Sequence, residues 1–306
     1  MIYYFGTIVM LVLLAPILLS YIKAVKMVLL FKRPISLFQG YRNFSKLMQK
    51  ETIISEETSA ITRWAPFFIL SPLVLILFFL PPVTQGSYYV SFVDAFTITG
   101  LISLSTFFLM LLGLDSASAF GGMGSSRESF ISALVEPAMV LTIFSVSLMA
   151  GNLGIGQAGV NLAEHFPQEH MASFLFAGIS FFILLIAENG RIPVDNPETH
   201  LELTMVHEAM TLDLTGVYLA IIESAASIKF IIFASLFASL FFPFGYRLEP
   251  VEAILFFIIK LFIIATIVAI LEVNTAKLRL FKIPNLLGLS IVFAFLSLIT
   301  FYVLGA

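Results

Sequence analysis

The residues best suited to chemistry lie in one stretch, Ala187 to Gly216, which reads AENGRIPVDNPETHLELTMVHEAMTLDLTG. It carries six of the nineteen acidic residues of the chain: Glu188, Asp195, Glu198, Glu202, Glu208 and Asp213. It also carries two of the four histidines, His200 and His207, and a single cation, Arg191. Carboxylates and imidazoles carry protons, and like charges held close raise at least one pKa. Pro193 and Pro197 interrupt any continuous helix. A short helix can begin at Asn196, with Pro197 in its first turn and Glu198 close behind, where the helix dipole favours acid. Glu198 and Glu202 then share a face at i and i+4. A solvated acidic loop accounts for the acids. It does not account for their interleaving with Ile192, Val194, Leu201, Leu203, Met205 and Val206.

Other motifs do not assemble a reaction centre. His200 and His207 are seven apart with Glu202 and Glu208 nearby, which is not the HExxH pattern, so no metal site is expected. GGMGSSRE (Gly121–Glu128) is glycine-rich but lacks the Lys-Ser/Thr pair of a phosphate-binding loop. It is read instead as a tight turn into the fourth span. No nucleophile set with a paired base stands out, and no catalytic residue or cofactor site is expected on this chain.

The elements that position these groups follow from composition. Of the 306 residues, 59% are hydrophobic and 11% charged, against about 25% charged in an average soluble domain. The class is an all-α integral membrane protein, with residues 1–306 forming one membrane domain. The absence of cysteine excludes disulfides and Cys-ligated iron–sulfur or zinc centres on this chain. The aromatic content, mostly Phe, fits lipid-facing helix surfaces. Eight continuous apolar runs qualify as spans: roughly 3–22, 65–82, 88–113, 128–151, 170–188, 217–243, 250–272 and 285–304. Continuity favours helices over the alternating pattern of a barrel. Met1–Ser20 lacks a basic leading region and is read as an uncleaved first helix. Lys and Arg concentrate between spans 1 and 2 and after span 7, and are missing after spans 2 and 4. The odd-numbered loops, including 188–216, are therefore placed in the cytoplasm and both termini outside.

Within the first loop, about 36–51, Leu37, Tyr41, Phe44, Leu47 and Met48 recur at helical spacing. Gln39, Arg42 and Lys46 fall between them, which predicts an amphipathic interfacial helix. Contact with anionic lipid and docking of a partner are both open readings of it. Ionisable groups at membrane depth cost about 2.5–3.5 kcal/mol or more and mark polar paths or paired charges. The candidates are Asp94, Glu128, Glu136, Glu223, Lys229, Lys260 and Glu272. Glu128 and Glu136 could face one crevice. Glu223 and Lys229, six apart, point in different directions, and Lys229 or Lys260 could pair with a carboxylate of a neighbouring helix.

The motif AENGRIPVDNPETHLELTMVHEAM…LDLTG resembles the signature loop of the quinone-site membrane subunit of respiratory complex I, whose core is AE-x-x-R-x-P-x-D-x-P-E. The THLELTMVHE form is similar to the homologous subunit of group 4 energy-converting nickel–iron hydrogenases, of the formate hydrogenlyase and hydrogenase-4 types. QGYRNFSKLMQKE (Gln39–Glu51), GLDSASAFGGMGSSRE (Gly113–Glu128), LVEP (Leu134–Pro137), SIKF (Ser227–Phe230), Lys260 and EVNTAKLRL (Glu272–Leu280) extend the likeness along nearly the whole chain. Lys32-Arg33-Pro34-Ile35-Ser36 departs from the family's Arg-Arg-Gly-Pro-Gly, and Asp213-Leu214-Thr215-Gly216 from its Glu-Tyr-Ser-Gly. The resemblance implies a subunit of a cell-membrane complex. Its partners would be hydrogenase-like large and small subunits holding nickel–iron and iron–sulfur centres, antiporter-like membrane subunits and membrane lipid, with no nucleic acid. It implies that Glu188, Arg191, Asp195, Glu198, Glu202, Glu208 and Asp213 meet the redox arm. The intramembrane charges would pass the response to proton- or sodium-moving subunits. A quinone is possible but not favoured, because the segment after Glu202-Leu203 is longer than in the quinone-reducing branch. A standalone transporter is the other alternative, for which no internal repeat is found.

Overall fold

A computed structural model of the chain describes residues 2–55, 57–80, 94–164, 170–195, 205–245 and 248–304. Ten α-helices of ten residues or more occur among them: α1 (Ile2–Leu29), α2 (Gln39–Met48), α3 (Ala60–Phe79), α4 (Ala95–Asp115), α5 (Ala119–Met149), α6 (Ile155–Glu164), α7 (Met171–Glu188), α8 (Gly216–Phe241), α9 (Pro250–Asn274) and α10 (Ile283–Leu304). Eight segments are long and apolar enough to cross a membrane, as the sequence predicts. The α2 helix is the amphipathic one. It buries none of its residues completely and lies against α1 and α8.

Two elements differ from expectation. The first helix runs on to Leu29, because Lys23 and Lys26 continue it rather than end it. GGMGSSRE is not a turn: it forms the first turns of α5, which is capped by Ser118, whose hydroxyl accepts from Gly121 N. Its glycines serve close packing. A Cβ on Gly124 would come within 3.0 Å of Ala209 Cβ, Met210 Cγ and Val206 O.

The helices pack in groups that share α8, the most enclosed span, with 72% of its apolar window buried. On one side lie α1 and α9, on another α3 and α4. The α5, α7 and α10 helices are joined by small polar side chains. Thr142 Oγ1 meets Ser180 Oγ at 2.7 Å, and Ser180 donates to Ser290 O at 2.8 Å. Ser297 bridges Ser145 Oγ and Ser173 O. Helices in lipid gain no hydrophobic drive toward one another, so such hydrogen bonds and close small-residue contacts hold them. Many phenylalanines face outward, as expected, including Phe67, Phe68, Phe107 and Phe295, but Phe181, Phe230 and Phe233 are fully buried.

Asp115, at the end of α4, caps the start of α3. One carboxylate oxygen accepts from Ser59 N at 3.2 Å, Thr62 N at 3.0 Å and Thr62 Oγ1 at 2.6 Å. This satisfies N–H groups that a helix start leaves open.

Candidate functional site

The site begins where α7 stops. Gly190 adopts φ +55°, Gly190 N donates to Ala187 O, and Arg191 N donates to Ile186 O. This is a Schellman closure, which needs a residue comfortable in the left-handed region. The closure folds the chain back, so that Arg191 and Asp195 are buried, at 5% and 3% exposure. Leu278 N donates to Pro193 O, which ties this turn to the loop after α9. The turn also sits deep. Glu188 pairs with Lys229, the fourteenth of the 26 residues of α8, about 20 Å along that helix from Gly216. The acidic segment is therefore not a solvated loop in its first half; it reaches down between helices.

Three charged groupings result. Lys229 Nζ lies 2.6 Å from Glu188 Oε2 and donates to Thr106 Oγ1 at 3.3 Å. Glu272 joins two cations, Lys26 at 2.9 Å and Arg191 at 3.3 Å, and the Arg191 guanidinium lies 5.3 Å from the centre of the Phe230 ring. Asp195 pairs with Lys277 at 2.6 Å and accepts from Val206 N and His207 N. The His207 ring stands between two carboxylates, with Nε2 3.3 Å from Glu128 on α5 and Nδ1 3.9 Å from Asp195. Buried charges persist where each has a partner, and here every partner comes from a different element.

Burial alone would lower the His207 pKa, but the charges of Glu128 and Asp195 outweigh it and push it up to about 10. Burial would raise the Asp195 pKa, yet His207 and Lys277 hold its carboxyl well below the usual carboxylate range. At neutral pH the pair is an imidazolium facing a carboxylate. Arg127, beside Glu128, donates to Met205 O at 2.9 Å and fixes the segment that carries His207.

Of the residues predicted from sequence, Glu188, Arg191, Asp195, Glu128, Lys229 and Glu272 are brought together here. Glu198 and Glu202, with the predicted short helix, lie outside the described residues. Glu208 is half-buried and Asp213 exposed, both at the segment leading into α8. Gln39 bonds Asn43 at 2.9 Å, while Arg42 and Lys46 stand exposed on α2. Glu223 faces away from Lys229, as expected. Glu136 is half-buried and makes no ion pair with another described residue, so it does not share a crevice with Glu128. Asp94 precedes α4 at the end far from the loop, and is exposed. Lys260 also lies apart: its ammonium donates to the carbonyls of Phe242 and Phe244 and sits 5.2 Å from the Phe256 ring, closing the far end of α8. Sequence reasoning missed His207, Lys26 and Lys277. All three were visible only as a failed metal motif or as charges that orient the chain.

A separate cavity of about 420 Å³ opens beneath α2. Val12, Leu13, Pro16, Tyr41 and Phe44 line it, with Lys23 and Glu223 as its charges. Gly40 makes the seat possible, since a Cβ there would lie 2.9 Å from Pro16, and its N–H donates to Ser20 Oγ.

An eight-span helical bundle with paired charges reaching from a loop to mid-membrane defines a multi-pass membrane protein built around an internal polar path. The chain belongs to the NADH dehydrogenase family, whose model matches residues 7–304. It is similar to hydrogenase-4 component C of Escherichia coli, at 28% identity over 92% of this chain and 90% of that one. It is also similar to formate hydrogenlyase subunit 4 of Escherichia coli, at 26% identity over 94% of each. A subunit of the NADH-quinone oxidoreductase of Rickettsia africae matches at 30% identity, over 56% of this chain and 50% of that one. A chain of the membrane-bound sulfane sulfur reductase, an archaeal respiratory membrane complex, shares the fold with a TM-score of 0.84 at 14% identity, covering 97% of this chain and 98% of that one.

Proposed function

We propose that this chain is the membrane anchor subunit of a complex-I-like, hydrogenase-type oxidoreductase in the cell membrane. Its odd-numbered loops face the cytoplasm and dock a peripheral arm, whose large and small subunits hold the nickel–iron and iron–sulfur centres. Both termini lie outside. Electron transfer in the arm changes the charge at the Arg191–Asp195 turn. The change passes through Glu188, Lys229, His207 and Glu128 into the membrane, toward antiporter-like subunits that move protons or sodium. The observation that carries this reading is the continuity of ion pairs from the turn to mid-membrane: Lys277–Asp195–His207–Glu128 on one side and Glu188–Lys229 on the other. The likeness to the hydrogenase-4 and formate hydrogenlyase subunits over nearly their full length supports it. Arg42 and Lys46 on α2, with Asp213, add exposed charge for docking.

In the complete complex in membrane vesicles, Asp195→Asn and Glu188→Gln should lower the ions moved per electron several-fold. Unchanged, fully coupled transport in both variants would refute the reading. A quinone-binding role is favoured by one observation, the mostly apolar 420 Å³ cavity beneath α2, which is of ligand size. A photoreactive quinone analogue that labels Tyr41 or Phe44, competed by unlabelled quinone, is the result that reading requires.

A further inference from the structure

Between the two halves of the charged path lies a second, small cavity of about 70 Å³. It is walled by apolar side chains from α3, α4 and α8, but polar groups converge on it: Thr106, Glu188, Asn189, His207 and Lys229. Several of these are buried and unsatisfied by direct hydrogen bonds. Asn189 Oδ1, Glu188 Oε2 and both His207 ring nitrogens have no aligned hydrogen-bond partner among the described residues. Buried polar groups are seldom left so, and a polar cavity of this size holds about two waters. We propose that this cavity is a water site through which His207 passes protons between the Asp195 carboxylate and the Glu188–Lys229 pair, so that the ion handled here is the proton.

This deepens the coupling reading above and rests on it. His207 is faced by Glu128 from α5 and Asp195 from the turn. Glu188 and Lys229 stand across the cavity from α7 and α8; Lys277 reaches Asp195 from the loop after α9; and Arg127 and Glu208 flank the segment. With both carboxylates in place the ring holds its second proton tightly. If Asp195 is drawn off or neutralised, one of the two stabilising charges is lost. The imidazolium then gives the proton on one nitrogen to a cavity water, and that water gives one of its own to Glu188. The ring regains a proton on its other nitrogen from the side of the turn and ends as it began. No electrons move, and one proton crosses. A sodium ion does not fit the same place, because the Lys229 ammonium occupies the cavity wall 2.6 Å from the Glu188 carboxylate and repels a second cation.

The test uses the complete complex in inverted vesicles, reading protons moved per electron. His207→Ala should lower the ratio at least tenfold. Added imidazole should restore it, while thiazole, of like shape but far weaker basicity, should not. Restoration by both, by neither, or no loss at all would overturn the relay. So would transport in the native complex that requires sodium. If His207→Ala does not assemble, His207→Gln replaces it: a retained ratio refutes the proposal and a lost one supports it. Asp195→Asn and Glu188→Gln separate the two levels. If they uncouple while His207 variants do not, only the relay fails; if they stay coupled, the coupling reading fails.

Discussion

The position of His207 between two carboxylates sets a pH dependence that can be worked from the structure. Its pKa rises from an ordinary 6.5 to about 10 on folding. A group raised in this way stabilises the native loop fully below pH 6.5. That contribution is lost as pH climbs through about 10, at close to 1.4 kcal/mol per unit. The ring is 24% exposed, so screening leaves roughly 2–5 kcal/mol over the whole interval. Asp195 works in the other direction: its lowered pKa stabilises the loop above the normal carboxylate range and is lost on acidification. The loop is therefore most stable at about pH 5–6. The Val206 and His207 amides, which donate to Asp195 Oδ2 at 3.1 and 3.3 Å, report the opening of this loop. Corrected for intrinsic exchange, their hydrogen-exchange protection should fall nearly tenfold per pH unit between about 7 and 9.5 in the native chain, and stay almost flat in His207→Gln. Protection that falls equally in both, or in neither, refutes the raised affinity of His207 for its second proton.

Two further outcomes follow from the same contacts. Glu272→Gln leaves Lys26 and Arg191 buried with no carboxylate between them and should cost about 3–5 kcal/mol, whereas Lys26→Met leaves the Arg191–Glu272 pair intact and should cost clearly less; thermal unfolding that ranks them equally would contradict the shared-carboxylate arrangement. Phe31 ends α1 in a Schellman closure at φ +55°, with Lys32 N donating to Met27 O and its own side chain fully exposed, so Phe31→Gly should stabilise the isolated chain by about 0.5–1 kcal/mol. A lower unfolding temperature would mean that the ring makes a contact within the fold.

How much of this was legible in the sequence depends on the range of the force involved. The eight spans were legible because a run of about twenty apolar residues is itself the physical requirement for crossing a bilayer. The α2 helix was legible because its two faces are written at i, i+3 and i+4. The glycines of GGMGSSRE were misread because a glycine permits either a turn or a close approach, and the choice lies with a segment about eighty residues away, Val206–Met210, that packs on Gly124. His207 was dismissed by a test of spacing along the chain, yet its partners Glu128 and Asp195 arrive from separate elements, and no local pattern encodes that meeting. Lys260 makes the same point from the other side. Its depth showed that it must have partners, and carboxylates were expected, but the open carbonyls beyond the end of α8 satisfy an ammonium as well. In an apolar chain a buried charge announces that a partner exists; which group answers is decided by how the helices meet.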